Sequence, residues 1–253
     1  MTQVRAIFST PWIWSFVGAF AVWLATVIFT GGVGGGGMIT AALSLAVFMV
    51  IVGVGQMFVI TLGPGNVDLS LPANIGLASA EAMTVMGGQD SRIALGLLAA
   101  LASGAAVGIA LVVHFGLMRT SYGAILRGSG GNPVALGRAG WSILRVKMTL
   151  FALAGLFGVL SGMTLVGITT AGDANIGNGY TLLAIAGVIL GGGEFVGGRV
   201  SPIGAVLGAL TLALAASPLL TFMKIPPDWQ VAANGIILIV VLAARVLISR
   251  RER

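Results

Sequence analysis

Apolar runs long enough to cross a bilayer recur along this chain, and they constrain its fold more than anything else in it. About 20 apolar residues, rising ~1.5 Å each, cross a hydrocarbon core ~30 Å thick. Eight such segments can be drawn: Pro11–Thr30, Met38–Ile60, Leu69–Met86, Ile93–Leu117, Met148–Val166, Asn178–Gly193, Pro202–Phe222 and Val231–Ile248. Barrel strands alternate polar and apolar positions, and these runs do not. The expected fold is all-α, a polytopic membrane protein with about eight transmembrane helices in a single transmembrane domain over residues 1–253. Charged residues make up 8% of the chain, against roughly a quarter in a soluble domain, which excludes a soluble core. The first run is span-length and has no clear small-residue cleavage site, so it reads as a helix rather than a signal peptide.

One long polar stretch interrupts this hydrocarbon. Residues 119–147 carry Arg119, Arg127, Arg138, Arg145 and Lys147 and no acidic residue. Lys and Arg beside a span resist translocation, so this loop is expected in the cytoplasm and orients every span around it. The sixth run is short and glycine-rich, and could be re-entrant. Charge favours a full crossing: with eight crossings both termini are cytoplasmic, and of the 13 basic residues only Arg92 and Lys224 lie outside. The net charge of +6 therefore sets topology and does not signal nucleic acid, for no aromatic-basic platform accompanies it. Cysteine is absent, so disulfides and thiolate metal sites are too.

Candidate sites are few. Gly63-Pro64-Gly65 ends a helix, because proline lacks the donor and glycine lacks a preference. Asn66, Asp68 or Ser70 can then cap the next helix. Two readings stay open: a capped turn at the membrane edge, or a helix break lining a permeation path. Glu81 inside the third span must avoid lipid, either by pairing with Arg92 near the outer surface or by facing the path. The lone His114 has no neighbouring ligand, and an interfacial or satisfied role outweighs metal binding. Gly31–Gly37 matches a dinucleotide fingerprint trivially, but no strand precedes it, so it reads as a flexible loop. Glycines four apart (Gly104/Gly108, Gly158/Gly162, Gly204/Gly208) support close helix packing without locating a dimer seam. No phosphate loop, nucleophile elbow, paired-histidine motif or buried proton relay is present. The chain is expected to be no enzyme and to hold no cofactor or metal. Any uphill transport must draw its energy from elsewhere.

Three stretches together resemble the permease subunit of bacterial sugar-type ABC importers, the branch that includes ribose and xylose permeases. Gly55-Gln56 through Thr61-Leu-Gly-Pro-Gly-Asn-Val-Asp68-Leu69-Ser70 is similar to the family's G-x(4,5)-I-x-T-G-G-I-D-L-S signature. Gly131-Asn132-Pro-Val-Ala135 followed by Gly140 resembles its cytoplasmic G-x-N-x-x-A-x(4)-G motif. Gly177-Asn-Gly179-Tyr180-Thr-Leu-Leu-Ala184-Ile185-Ala186, continuing through Gly191-Gly192 and Gly197-Gly198, is similar to its third glycine-rich block. Leu183, Glu194 and Leu136-Gly137 depart from the usual pattern. The likeness covers about 40–110 and 111–250 but not the join, where longer family members carry further spans.

The resemblance implies two permease subunits forming the pathway, an extracytoplasmic solute-binding protein delivering sugar, and two ATP-binding subunits driving alternating access at the inner membrane. It places ATPase coupling at Gly131, Asn132, Ala135, Arg138 and Gly140. The polar residues near the broken spans (Asn66, Asp68, Ser70, Asn74 and Glu81) are the candidate pathway, since sugars need hydrogen-bonding, largely uncharged walls. A passive channel or structural membrane protein is the rival reading, in which the basic loop only anchors topology. An intramembrane enzyme lacks a nucleophile set.

Overall fold

The computed structural model describes residues 35–63, 66–86, 106–169, 172, 174, 177, 180–193, 198 and 200–214, with helical positions scattered through 17–28 and 236–243. Among the described residues the continuous helices run in the order α1 Gly35–Ile60, α2 Leu71–Met86, α3 Ala106–Arg119, α4 Ser121–Gly131, α5 Pro133–Arg138, α6 Ile143–Thr169, α7 Tyr180–Leu190 and α8 Pro202–Leu214. No strand forms among the described residues.

α6 is the axis of the bundle. It has 27 residues, about 40 Å of helix, and among the described residues it is the one helix both long and apolar enough to cross a membrane. Its outward face carries exposed Met148, Phe151, Leu156 and Val159. Water would penalise that stripe and hydrocarbon would not. Its other faces receive α1 and α2, while α1 also packs on α8, and α8 on α7. The core at these contacts is dry: Phe48, Met57, Ile60, Leu71, Ile75, Leu150, Leu165 and Leu212 are all fully buried, and Phe58 tilts against Phe157 with ring centroids 5.6 Å apart.

Glycine allows several of these approaches. A methyl on Gly162 would sit 2.8 Å from the Ala78 Cβ, and one on Gly158 would sit 3.1 Å from the Asn74 Cβ, so α2 lies in a groove of α6. α7 and α8 cross antiparallel, with Gly187 against Gly208 and Gly191 against Gly204, backbone on backbone. Two of the glycine pairs legible in the sequence therefore join helices of the same chain.

The sequence boundaries shift in two places. The fifth run, drawn from Met148, becomes a helix from Ile143, so Arg145 and Lys147 lie on its first turns. The sixth, drawn over Asn178–Gly193, becomes an α7 of 11 residues, about 16 Å, roughly half a hydrocarbon core. Before it, Gly172 lies against Ser79 and Met83, Ala174 against Gly76, and Gly177 against Pro72, so the chain returns along α2 before α7 begins. Close backbone contact there leaves no space for helix side chains. The first, fourth and last runs fall largely outside the described residues, as does Arg92.

Candidate functional site

Two regions bring the candidate residues together: the break between α1 and α2, and the polar elbow of α4 and α5. α1 ends in a turn, with Leu62 and Gly63 donating to the carbonyls of Val59 and Ile60, and Gly63 at φ +98°. Such a φ suits glycine and is strained for residues with a Cβ. Asn66 closes that end: its Nδ2 donates to the Gly63 carbonyl at 3.3 Å and reaches the Leu62 carbonyl at 3.5 Å. Asp68 organises the next start. Its Oδ1 accepts from the Ser70 N–H at 2.8 Å and the Ser70 Oγ at 2.6 Å, while the Ser70 carbonyl accepts the first bond of α2 from Asn74. A carboxylate here also faces the positive end of the helix dipole.

The break lies at a definite level along α6. Gly55, Ala154, Phe157, Gly158 and Leu71 meet side by side. Gly158 lies 15 residues beyond Ile143 on α6, about 22 Å along it. α2 thus begins near the middle of the longest apolar helix rather than at its end. Gly177 touches Pro72 at this level, and Tyr180 at the start of α7 packs edge-on against Phe48 with centroids 4.5 Å apart. α2 therefore starts partway along α6, and the segment leading into α7 touches it at the same level.

The candidate pathway residues divide. Asp68 is buried, Asn66 and Asn74 are half-buried, and Ser70 and Glu81 are exposed. Asn74 faces the glycine groove of α6, its Nδ2 lying 3.7 Å from where a methyl on Gly155 would be. Glu81 sits on α2, remote from the break, so it does not join the others. The Asp68 Oδ2 is buried without a hydrogen-bond partner.

Sequence reasoning passed over Gln56. It is fully buried on α1, and both its Oε1 and Nε2 lack a partner. An amide isolated in an apolar bundle costs several kcal/mol by water-to-hydrocarbon transfer, on the order of 2–7. The signal was available: one amide in the apolar run from Gly53 to Ile60. The half-buried His114 also has a buried Nδ1 without a partner.

The elbow is built from caps. Thr120 opens α4, its Oγ1 accepting from the Gly123 N–H at 3.0 Å. Asn132 serves two helices: its N–H donates to the Gly128 carbonyl at 2.9 Å, closing α4, and its Oδ1 accepts from the Ala135 N–H at 2.9 Å, opening α5. Pro133 takes the first position of α5, where its missing donor costs nothing. At the other end Trp141 donates to the Leu136 carbonyl at 3.2 Å and Gly140 adopts φ +84°, a left-handed stop. Gly131, Asn132, Ala135, Arg138 and Gly140 are all exposed. So are Val134 and Trp141, apolar groups on an otherwise polar surface. Of the loop cations, Arg127 alone turns inward, its Nη1 3.1 Å from the Met118 Sδ; Arg119, Arg138, Arg145 and Lys147 are exposed.

Residues 109–242 match the family described as "Branched-chain amino acid transport system / permease component". Among curated proteins the chain is 31% identical over 134 residues to "Probable ABC transporter permease protein YphD" of Escherichia coli K12, covering 53% of this chain and 40% of that protein. It is 35% identical over 121 residues to "Xylose transport system permease protein XylH" of the same strain, covering 48% and 30%. With "Ribose import permease protein RbsC" of Bacillus subtilis the identity is 30% over 136 residues, covering 54% and 41%. The chain thus spans well under half the length of these relatives. No solved structure matches it. With more than half of its residues matched, the chain belongs to this family of transport-system permease components, and the curated relatives it resembles include sugar ABC permeases.

Proposed function

We propose that the chain is a permease subunit of a bacterial ABC importer that moves a monosaccharide or similar small polar solute across the inner membrane, powered by separate ATP-binding subunits. The observation that carries this reading is the elbow. α5 is capped at both ends and presents Val134, Ala135 and Arg138, with Trp141 beside them, at the basic end of the longest apolar helix. A short helix held this rigidly can be gripped and pushed, and exposed apolar side chains flanked by arginines suit a protein partner better than water. We assign coupling to Gly131, Asn132, Ala135, Arg138 and Gly140.

In this reading the loop 119–147 and both termini are cytoplasmic, and eight spans cross. The sixth crosses with a short α7, preceded by the segment whose Gly172, Ala174 and Gly177 lie against α2. The solute path runs by the α1–α2 break, with Asp68 and Ser70 at its polar rim, Asn66 and Asn74 beside it and Glu81 further out along α2. Gln56 joins that set from the core side of α1. A second permease subunit completes the pathway, and an extracytoplasmic solute-binding protein delivers the sugar.

Copurification tests the reading. The full chain solubilised from its own membranes is expected to bring down a P-loop ATPase, and replacing Asn132–Gly140 with a Gly-Ser linker is expected to remove it. An ATPase still captured after that replacement overturns the coupling surface. A chain that captures no ATPase at all favours a passive channel.

A further inference from the structure

The last turn of α4 ends in a contact the coupling surface does not itself explain. The Gly198 N–H, from the connection between α7 and α8, donates to the Thr61 carbonyl at the end of α1 at 3.0 Å. Gly130 packs onto that bond: a methyl there would overlap the Thr61 carbonyl and stand 2.6 Å from the Gly198 nitrogen. A methyl on Gly198 would stand 2.9 Å from the Arg127 carbonyl oxygen and 3.1 Å from the Gly131 nitrogen, and Gly198 holds φ +71°. Three segments distant in sequence therefore touch backbone to backbone, with no side chain between them.

We propose that this junction of Gly130, Thr61 and Gly198 is a mechanical joint that carries movement of the elbow to both interruptions of the bundle, with Gly130 as its positioning residue. The inference rests on the permease reading and adds the route. On one side, Thr61 opens the turn that holds Asp68 and starts α2. On the other, Gly198 lies in the turn that separates the short α7 from α8. On the third, Gly130 is two residues from Asn132, the shared cap from which α5 hangs. Side chains at a contact can absorb a displacement by changing rotamer, whereas close-packed backbone passes it on. A shift of α5 thus reaches the α1–α2 break and the α7–α8 turn together, and small shifts at packed contacts drive discrete rearrangements.

Gly128, two residues earlier on α4 and outside the coupling set, supplies a control, because a methyl there meets only the Leu136 Cδ1, at 3.9 Å. The test uses the full chain in complex with its captured ATP-binding subunits. Gly128→Ala is expected to keep both ATPase capture and solute-stimulated ATP hydrolysis. Gly130→Ala is expected to keep capture and lose stimulation by about tenfold, within the range of ordinary coupling energies. Equal behaviour of the two variants overturns the joint. An unaltered chain that captures no ATPase removes the permease reading and the joint with it. Should Gly130→Ala fail to insert, Leu69→Cys in the otherwise unaltered chain reports on the break, since Leu69 is 77% exposed and the chain has no other cysteine. Its maleimide labelling rate should change about fivefold when the ATPase is trapped with vanadate, and an unchanged rate overturns the joint.

Discussion

Asn132 shows how one side chain can serve a coupling surface without touching a partner. Its amide oxygen holds the Ala135 N–H and its backbone closes α4, so its first effect is to keep α5 folded and aimed. Asn132→Ala is therefore expected to cost about 1 kcal/mol locally, the usual value of an N-cap. Hydrogen exchange at the amides of 134–139 should quicken accordingly, while exchange in α6 stays unchanged. Gln56 presents the opposite case, a polar group with no structural partner at all. Gln56→Met keeps the shape and removes an unpartnered amide, which is expected to stabilise the chain by about 1 kcal/mol or more. The unfolding temperature in detergent should rise, and solute uptake should fall if the amide serves the path. A fall in unfolding temperature would mean that Gln56 has a partner such as a bound water.

At the scale of elements, the bundle depends on glycines placed where helices cross, and their neighbours predict which are replaceable. Gly162→Val should force α2 off α6, because even the first added carbon lies 2.8 Å from the Ala78 Cβ. Overpacking of this kind costs about 1–3 kcal/mol, read as a lower detergent melting temperature. Gly155→Ala meets only the Asn74 Nδ2, at 3.7 Å, and should melt like the unaltered chain. Close packing recurs ahead of α7, where Ala174 and Gly177 lie against the backbone of α2 at Gly76 and Pro72.

For the molecule as a whole, orientation is the decisive property, and the basic elbow predicts it. The chain contains no cysteine, so Trp141→Cys, on an exposed position of the elbow, supplies a single label. An impermeant maleimide should modify it only after the cells are opened. Labelling in intact cells would place the elbow outside and overturn both the topology and the ATPase contact. The whole-molecule arrangement also explains why Asn66, Asp68, Ser70 and Asn74 gather while Glu81 stands apart. The first four belong to the turn and first turn of α2 beside the middle of α6, and Glu81 lies more than two turns further on.

Much of the fold was legible because the signals are one-dimensional. Span-length apolar runs imply helices, and Gly63-Pro64-Gly65 implies an interruption. The capped elbow could be read in outline too, since Asn before Pro and a later Gly are local helix punctuation. What tertiary structure alone decided was depth and neighbourhood. Nothing local to residues 61–71 tells that α2 starts beside Phe157 and Gly158. Nothing near Ala174 or Gly177 tells that they lie against the backbone of α2. The isolation of Gln56 and the meeting of Gly130 with Thr61 and Gly198 are of the same kind. Hydropathy records how much each segment prefers lipid to water, but which backbones touch depends on the shapes of segments far apart in the chain.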